Sequence, residues 1–307
     1  MRAFVTGIGG FIGSHLADFL LEKGIEVYGT FYKEKYHVPR DANIIKCDIS
    51  KKKEIAKAVK KADPDHVFHM AAQSFVVPSW QDPQGTMLSN AIGTLGLLEA
   101  MKDSSSIISI ACSSAEYGKT YKNELPIEES KELRPSSPYA VSKLATDMIS
   151  YVYHNAYGMK LFRLRFFNII GTRKRMDACS DFAKGIIEVE KGKKKHLEVG
   201  NLGGVRDFTD VRDALRAVWL ITQKGKYGDV YNVCSGNGYK IESVLKILLS
   251  MSAIKVPVKQ TKSKMRSIDD PIFIGDNSKL KKLGWKQEVP IERTLQDLLD
   301  YWRNEIK

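Results

Sequence analysis

The sequence lacks the features of membrane proteins, of zinc-binding proteins and of disulfide-rich proteins. No apolar run in its 307 residues approaches the ~18 residues that would cross a membrane. The N-terminus enters an apolar segment at once, without the pattern of a signal peptide. The cysteine spacing favours neither zinc ligation nor disulfide pairing; the cysteines are Cys47, Cys112, Cys179 and Cys234. We therefore expect a protein of the reducing cytoplasm, without a metal and without a membrane partner.

A focused basic motif is also missing, although the chain is strongly basic. The 48 Lys and Arg residues exceed the 36 Asp and Glu residues, so the net charge is +12 and the isoelectric point is near 9.3. A nucleic-acid-binding surface would concentrate its cations on one motif, but the lysine clusters at 51–53, 60–61 and 191–195 are far apart in the sequence. We expect no nucleic-acid partner. A basic chain does suit an anionic small substrate such as a nucleotide diphosphate.

The first functional pattern is a glycine-rich turn near the N-terminus. Residues 2–6 predict a short buried strand, and an amphipathic helix is predicted up to about Lys23. The glycines between them have the spacing Gly-x-x-Gly-x-x-Gly, which lets the backbone approach a pyrophosphate, and the helix N-terminus supplies N–H groups. We therefore expect a dinucleotide here, in contact with Gly7, Gly10, Phe11, Ile12 and Gly13.

The second predicted strand, residues 25–30, does not end in the acidic residue that grips the ribose hydroxyls of NAD. Thr30 stands at its end, and Lys33 and Lys35 follow shortly after. Because cations near this position tolerate a 2′-phosphate, NADP(H) is favoured. NAD(H) stays open, since solvated surface lysines would explain the same pattern.

Strands and helices alternate through the first half of the chain. Further strands are predicted at 43–48, 66–72, 106–112 and 160–167, with helices at 51–61, at 86–103 and around Tyr139. This alternation predicts an α/β fold with a Rossmann-like, doubly wound parallel sheet and ligands beyond the carboxyl ends of the strands. Short helices and brief strands then predict a smaller α/β substrate lobe. We expect domains at 1–168 and 169–307, with some of the chain crossing back.

Tyr139 and Lys143 are four residues apart and therefore lie on one face of a predicted helix. A phenol titrates near pH ~10, and a fixed ammonium group beside it would lower its pKa toward neutrality. Ser113 follows the fifth strand, so its hydroxyl could hold the oxygen that Tyr139 protonates. The three residues predict proton transfer at a carbonyl or carbinol. His69, at the end of the fourth strand, is expected to be structural.

Several stretches together carry a resemblance that covers nearly the whole chain. They are the glycine turn, Asp48, residues 69–72, Asn90, and residues 113–118, 138–143, 165–168 and 206–211. The chain resembles the extended short-chain dehydrogenase/reductase family, which contains nucleotide-sugar epimerases, dehydratases and reductases. The resemblance implies an NAD(P)-dependent enzyme with Ser113, Tyr139 and Lys143 as its catalytic residues.

The resemblance also leads to expected ligand contacts. Beyond the glycine turn, the expected cofactor contacts are Thr30, Asp48, Ile49, Ala71, Ala72, Asn90, Tyr139 and Lys143. The expected substrate contacts are Gln73, Ser114, Glu116, Asn168, Arg206, Arg266 and Asp269. Asp48 could meet the adenine edge. The family pattern implies that Arg206 and the Arg266–Asp269 pair hold a nucleotide diphosphate, and guanidinium groups suit phosphate oxygens.

The C-terminal half is most similar to GDP-sugar enzymes, through residues 180–183, 199–202, 206–211, 230–236 and 298–303. A GDP-keto-sugar reductase needs hydride at carbon 4 and a proton from Tyr139. A 4,6-dehydratase also needs a base for the proton at carbon 5, and in such enzymes a carboxylate stands two residues after the Ser or Thr of this motif. Here that position is Ala115, which cannot accept a proton. Glu116 follows, but neighbours on an extended segment point to opposite sides.

The main hypothesis is therefore reduction of GDP-4-keto-6-deoxy-D-mannose to GDP-D-rhamnose. GDP-mannose 4,6-dehydratase and a nucleotide-sugar 4-epimerase are alternatives. A non-catalytic dinucleotide sensor is a distant one, since such proteins usually lose the Tyr or the Lys. Ile169 and Ser267 depart from the pattern of GDP-sugar relatives, which leaves the exact sugar open.

A homodimer is expected because relatives commonly pair through the helix at 86–103 and the Tyr139 helix. The apolar residues of these helices would serve equally well as internal core; they are Leu88, Leu95, Leu98, Val141, Leu144 and Met148.

Overall fold

The structure, a computed structural model, describes residues 1–33, 37–264 and 271–307. Its strands are β1 Arg2–Thr6, β2 Glu26–Phe31, β3 Asn43–Lys46, β4 His66–His69, β5 Ile107–Ser113, β6 Leu161–Phe166, β7 Asn168–Ile170, β8 Leu197–Val199, β9 Val205–Asp210, β10 Val230–Val233, β11 Gly238–Lys240, β12 Val258–Gln260 and β13 Ile272–Phe273. Its α-helices are α1 Phe11–Glu22, α2 Lys52–Ala62, α3 Val76–Gln81, α4 Pro83–Met87, α5 Gly93–Met101, α6 Pro138–Tyr157, α7 Ala178–Glu190, α8 Val211–Lys224, α9 Ile241–Ser250, α10 Ser278–Leu283 and α11 Ile291–Glu305.

A seven-stranded parallel sheet forms the centre of the fold, in the order β3-β2-β1-β4-β5-β6-β10. The chain builds outward from β1 in one direction and from β4 in the other, so the strand order reverses between these two strands. In such sheets ligands bind beyond the carboxyl ends of the strands at the reversal. The predicted Rossmann-like, doubly wound α/β fold is confirmed.

Helices cover both faces of the sheet. Its strands are therefore buried on both sides and present apolar residues to each layer of helices. One apolar cluster joins β1 and β2 to residues of α1, α8 and α10. The other joins the opposite face to α2 and α5. The C-terminal half thus supplies β10, α8 and α10 to the central body, as the expected crossing-back implied. The division at residue 168 itself stays a prediction.

The rest of the C-terminal half forms a smaller lobe. In its four-stranded sheet, β9 pairs with β11, β13 and β7. The strands β8 and β12 pair separately. The helices α7, α9 and α11 pack together around their own apolar core, which includes Phe182, Leu245 and Trp302. This is the predicted smaller α/β lobe.

The predicted helix at 86–103 is not one regular helix. It consists of α4, a π-helical turn at Leu88–Ile92 and α5. The carbonyl of Asn90 accepts hydrogen bonds from the hydroxyls of Thr94 and Thr146, at 2.6 and 3.1 Å. Insertion of polar side chains into the helical ladder is a common cause of such irregularity. Periodicity alone could not show it, since Thr146 lies on α6.

The helix α6 carries the Tyr139–Lys143 pair, and local sequence fixes both of its ends. The Ser137 hydroxyl accepts a hydrogen bond from the Ala140 N–H at 3.1 Å, and Pro138 occupies the first turn. Gly158 ends the helix in the left-handed conformation. Within the described part of the chain, no helix is long and apolar enough to cross a membrane.

Candidate active site

The glycine turn lies between β1 and α1, at the point where the strand order reverses. Gly7 has a φ of +70°, and a Cβ there would lie 2.8 Å from the Cα of Ala71. A Cβ on Gly13 would lie 2.2 Å from the carbonyl oxygen of Gly7. Gly10 precedes α1, whose start has no side-chain cap. The first N–H groups of α1, at Phe11 and Ile12, therefore form a positive helix end that suits a phosphate group.

Two threonines, Thr30 and Thr6, bond the glycine turn and the loop that faces it. The hydroxyl of Thr30 accepts a hydrogen bond from the Gly7 N–H at 3.2 Å, and Thr30 is only 1% exposed. Thr30 was expected to contact the cofactor, but its hydroxyl supports the glycine turn instead. The Thr6 hydroxyl accepts from the Ala71 N–H at 3.1 Å and bonds His69 at 2.8 Å. Burial lowers the pKa of His69 to about 3, so it is neutral and structural, as expected.

Asp48 and Ile49 follow β3 on the far side of the glycine turn. One carboxylate oxygen of Asp48 accepts from the N–H and the hydroxyl of Ser50, at 3.0 and 2.7 Å. This arrangement fixes a half-buried carboxylate just beyond the carboxyl end of β3. Ile49 is buried against Gly93. Asp48 is therefore in a position consistent with the expected cofactor contact, whereas Ile49 belongs largely to the core.

Asn90 and Gln73 are engaged within the protein. Asn90 is 2% exposed; its amide accepts from the Gln73 N–H at 2.8 Å and donates to the Gln73 carbonyl and the Ser142 hydroxyl, both at 2.9 Å. The Gln73 amide bonds Phe75 and Thr86. Neither side chain projects free polar atoms into the cleft. These residues join the loop after β4, including Ala72, to α6, and their expected ligand contacts stay predictions.

Ser113, Tyr139 and Lys143 meet where β5 ends beside α6. The Ser113 hydroxyl lies close enough to the Tyr139 phenol to lower its pKa. The Lys143 ammonium donates to the Ala111 carbonyl at 2.7 Å. Burial raises the pKa of Tyr139 to about 12, with a smaller lowering effect from Ser113, and burial lowers the pKa of Lys143. The expected fall of the Tyr139 pKa toward neutrality is not seen, because burial of the phenol disfavours the phenolate. Tyr139 is therefore a protonated phenol, suited to donate a proton.

The segment after Ser113 is a 3₁₀-helix, Ser114–Tyr117, and not an extended chain. Glu116 is 0% exposed, and its carboxylate accepts from the Ser113 N–H at 2.7 Å. The expected substrate contact of Glu116 is therefore wrong, since its side chain turns inward. Ser114 is also buried, and Ala115 is partly exposed.

A cavity of about 170 Å³ in the C-terminal lobe lies close to the glycine turn. Asn168, at the start of β7, and Arg206, on β9, both line it. Arg206 and Asn168 were expected substrate contacts, so the structure places two of them together. Arg266 and Asp269 lie outside the described residues. Lys174 also lines the cavity, and its ammonium lies 5.5 Å from the centre of the Phe11 ring. The cavity and the glycine turn are therefore neighbours.

The family model described as "GDP-mannose 4,6 dehydratase" matches residues 4–298. The chain belongs to this family. GDP-6-deoxy-D-mannose reductase of Pseudomonas aeruginosa is 31% identical over 314 residues, spanning 100% of this chain and 98% of that protein.

Solved structures give the same fold over the full length of the chain. The structure of RMD from Pseudomonas aeruginosa, complexed with NADPH, has a TM-score of 0.88 at 29% identity, with 100% of both chains covered. The UDP-glucose 4-epimerase of Thermotoga maritima, with UDP-glucose, has a TM-score of 0.90 at 28% identity, again with 100% of both chains covered. The predicted membership of the extended short-chain dehydrogenase/reductase family is confirmed, and members of this GDP-mannose dehydratase family are nucleotide-sugar enzymes.

Several residues that line the cavity of this GDP-mannose dehydratase family member were not predicted from the sequence. Polar lining residues without an expected role are Lys174, Asp177, Asp181, Glu198, Asn201 and Lys264. They come from the loop before α7, from α7 itself, and from segments around β8 and after β12. The stretches 180–183 and 199–202 resembled GDP-sugar enzymes, and this resemblance could have pointed to Asp181 and Asn201. The other four lie outside the stretches that carried the resemblance.

Proposed function

We propose that the protein is a nucleotide-sugar reductase that converts the 4-keto group of GDP-4-keto-6-deoxy-D-mannose to the hydroxyl of GDP-D-rhamnose. The full-length similarity to a GDP-6-deoxy-D-mannose reductase supports this reaction. The catalytic residues are Ser113, Tyr139 and Lys143.

One observation carries the choice of reduction over dehydration. Ala115 stands where dehydratases of this family pattern have a carboxylate base. The carboxylates packed near the catalytic residues, Glu116 and Asp147, are each 0% exposed and bonded to arginines. Tyr139, in contrast, is a protonated phenol. The site therefore offers an acid and lacks a base in the expected place, which suits protonation of an alkoxide and does not suit removal of a carbon-bound proton.

The residues at the glycine turn fit a nicotinamide dinucleotide. The close approach of Gly7 to Ala71 leaves no room for side chains, and the uncapped start of α1 suits the pyrophosphate. When bound, the dinucleotide supplies hydride for carbon 4. Tyr139 then gives its proton to the oxygen at carbon 4, while the Ser113 hydroxyl holds that oxygen. The ammonium of Lys143 lies on the same helix face and offsets negative charge that develops on Tyr139.

NADP(H) is the proposed cofactor form, with NAD(H) as the alternative. At the end of β2, Thr30 is turned inward and Phe31 follows, so the last two strand positions carry no carboxylate. Lys33 is exposed just beyond the strand. Similar structures contain NADPH or NAD, so they support a nicotinamide dinucleotide and do not distinguish the two forms.

The GDP moiety is proposed to bind in the cavity of the C-terminal lobe. Arg206 and Lys174 supply positive charge there, and Asn168 supplies an amide at the junction with the central sheet. Guanidinium groups bind phosphate oxygens in a bidentate manner. Apolar residues on the same wall, including Phe182 and Phe208, could accommodate a base. The position of this cavity beside Phe11 would bring the sugar toward Tyr139.

A homodimer through the helical face around α6 is also proposed. Apolar residues on this face are strongly exposed in the single chain; they are Leu88, Ile92, Val141, Met148, Tyr151 and Val152. Leu98, in contrast, is fully buried and belongs to the core. A continuous exposed apolar face of this kind is typical of protein–protein contacts. The four cysteines are free and buried, which is consistent with work in the cytoplasm.

The deciding experiment follows absorbance of the nicotinamide while the protein meets GDP-4-keto-6-deoxy-D-mannose and NADPH. A reductase consumes NADPH in proportion to the keto sugar and leaves GDP-mannose unchanged. Formation of keto product from GDP-mannose would instead mean a dehydratase, and interconversion of carbon-4 epimers without net NADPH loss would mean an epimerase.

The variant Tyr139→Phe should abolish turnover while NADPH still binds, whereas Tyr157→Phe, at the exposed end of the same helix, should retain activity. NADPH binding without any turnover in the wild-type protein would favour a dinucleotide sensor.

A further inference from the structure

A buried charge cluster lies directly beneath the catalytic residues. It consists of Glu116, Asp147, Arg163 and Arg165, and each of their side chains is at most 9% exposed. Arg163 and Arg165 bind the two carboxylate oxygens of Asp147 at 2.5 and 2.8 Å, and Arg165 lies 3.4 Å from the second oxygen of Glu116. Buried charges are costly to desolvate unless they are paired in this way.

The cluster connects the structural elements that carry the catalytic residues. Asp147 lies four residues after Lys143 on α6, and therefore on the same helix face. Arg165, on β6, is the register partner of Cys112, which directly precedes Ser113 on β5. Glu116 belongs to the turn that follows Ser113. One group of paired charges thus holds β5, β6 and α6 together at the edge where proton transfer takes place.

Glu116 reaches Ser113 from the buried side through a reciprocal cap. Its first carboxyl oxygen accepts from the Ser113 N–H at 2.7 Å, and the Ser113 hydroxyl accepts from the Ala115 N–H at 3.2 Å. The same hydroxyl neighbours the Tyr139 phenol, whose pKa it lowers. A capping box of this kind fixes the backbone at both of its ends. The direction of the Ser113 side chain therefore depends on Glu116.

We propose that Glu116 is a positioning residue, which fixes Ser113 for its contact with Tyr139 through the bond to the Ser113 N–H and takes no proton from the substrate. This inference rests on the proposed function, because it gives Ser113 the task of holding the oxygen at carbon 4. It assigns to Glu116 a role that differs from both a substrate contact and a general base.

The surroundings of Glu116 define what a substitute must supply. Burial, and then the neighbouring Asp147, raise the pKa of Glu116 well above its ordinary value, and Arg165 opposes this. One oxygen of Glu116 accepts from the Ser113 N–H, and the other lies 3.4 Å from the Arg165 guanidinium without a hydrogen-bond partner among the described residues. Glutamine has the same shape, with an acceptor oxygen and a donor NH₂ group. Methionine has similar length but neither group.

The test compares Glu116→Gln with Glu116→Met, in the assay that proves active for the wild-type protein. Glu116→Gln should retain kcat to within about threefold, since its amide oxygen can accept from the Ser113 N–H in the same way. Glu116→Met should lose kcat by about 100-fold, the effect expected for an ångström-scale misplacement of a catalytic group. The KM for the sugar and the affinity for NADPH should change little, because Ser113 acts on the reacting oxygen.

A matched control lies on the next 3₁₀ turn, where Glu124 caps the Tyr121 N–H in the same way. Its other described partners, Lys131 and Arg134, are not catalytic residues. Glu124→Met should therefore lower the unfolding temperature without lowering kcat. If Glu116→Met does not fold, Glu116→Asp replaces it, because the shorter side chain cannot reach the Ser113 N–H.

The outcomes separate this inference from the proposed function. A folded Glu116→Gln protein that loses activity as severely as Glu116→Met would overturn the inference and indicate a proton-transfer role. Full activity of Glu116→Met, or of Glu116→Asp where that variant replaces it, would also overturn it. If the wild-type protein proves to be a dehydratase and Glu116→Gln stays active, the proposed function fails while the positioning role stands.

Discussion

The variant Gly7→Ala should lower the free energy of unfolding, and the structure shows which contributions set the size of this effect. Gly7 adopts a φ of +70°, and a left-handed backbone costs a non-glycine residue ~1–2 kcal/mol. Its new methyl group would also lie 2.8 Å from the Cα of Ala71, a backbone atom that a side-chain rotation cannot move. Overpacking of this kind costs ~1–3 kcal/mol. Alanine recovers ~0.4–1 kcal/mol by restricting the unfolded chain.

Gly24→Ala is the matched control, because Gly24 has a φ of +72° but no atom within 4 Å of an added Cβ. It carries the backbone cost without the steric one, so its net cost should be about 1 kcal/mol or less. Gly7→Ala should cost about 2–4 kcal/mol. The difference between the two variants isolates the close approach of the glycine turn to the loop after β4.

Urea unfolding and NADPH titration would measure this difference together. If the turn keeps its shape, the cost appears in the free energy of unfolding. If the turn shifts away from Ala71, part of the cost appears as weaker NADPH binding, at tenfold for each ~1.4 kcal/mol. The reasoning would be refuted if Gly7→Ala matched Gly24→Ala within about 0.5 kcal/mol in unfolding and also bound NADPH like the wild-type protein.

Three further predictions test other parts of the molecule. Because burial raises the pKa of Tyr139 to about 12 from ~10, its contribution to stability is present below pH ~10 and is lost as the pH rises toward 12; in ultraviolet titration of the cofactor-free protein, the phenolate that is missing in Tyr139→Phe should therefore appear only above pH ~10, as should that of the buried Tyr117, and its appearance near pH 7 would contradict this. Asn90→Ala removes three hydrogen bonds at 2.8–2.9 Å and should lower the free energy of unfolding by about 2–4 kcal/mol in urea, and an unchanged value would argue against a structural role. Val152→Glu should yield monomers in light scattering, whereas Ile254→Glu, equally apolar and exposed but on the C-terminal lobe, should not; an unchanged molar mass for Val152→Glu would exclude the proposed interface.

The fold was predictable because it depends on local patterns. Alternating strands and helices, with a glycine turn between the first pair, indicated a doubly wound parallel sheet before any contact was known. The contribution of β10 to that sheet could not be predicted in detail. Its four residues, Val230–Val233, are a short apolar run like those of the lobe strands, and only packing beside β6 decides to which sheet they belong.

The site was predictable where a residue acts through its backbone or through helix periodicity. Gly7 and Gly13 are constrained by backbone conformation and close approach, and Tyr139 and Lys143 by their spacing on α6. Thr30, Gln73 and Asn90 could not be assigned in the same way. Each is a polar residue near the ligand edge, and each proves to bond another loop of the protein: Thr30 bonds the glycine turn, and Asn90 bonds Gln73 and Ser142. A sequence shows that such a side chain has polar atoms to satisfy, but it does not show which partner satisfies them.

Glu116 shows how a correct inference from sequence can rest on the wrong geometry. An extended segment was expected after Ser113, with neighbouring side chains on opposite sides, so that Glu116 would not take the place of a base at Ala115. The segment is instead a 3₁₀-helix, which has three residues per turn. Glu116 therefore comes back beneath Ser113, while Ala115 is rotated by a third of a turn from it. A glutamate at the position of Ala115 would not share this inward direction. The one-residue displacement thus replaces a carboxylate that could act on the substrate with one that caps Ser113, and Tyr139 remains as the proposed proton donor of the site.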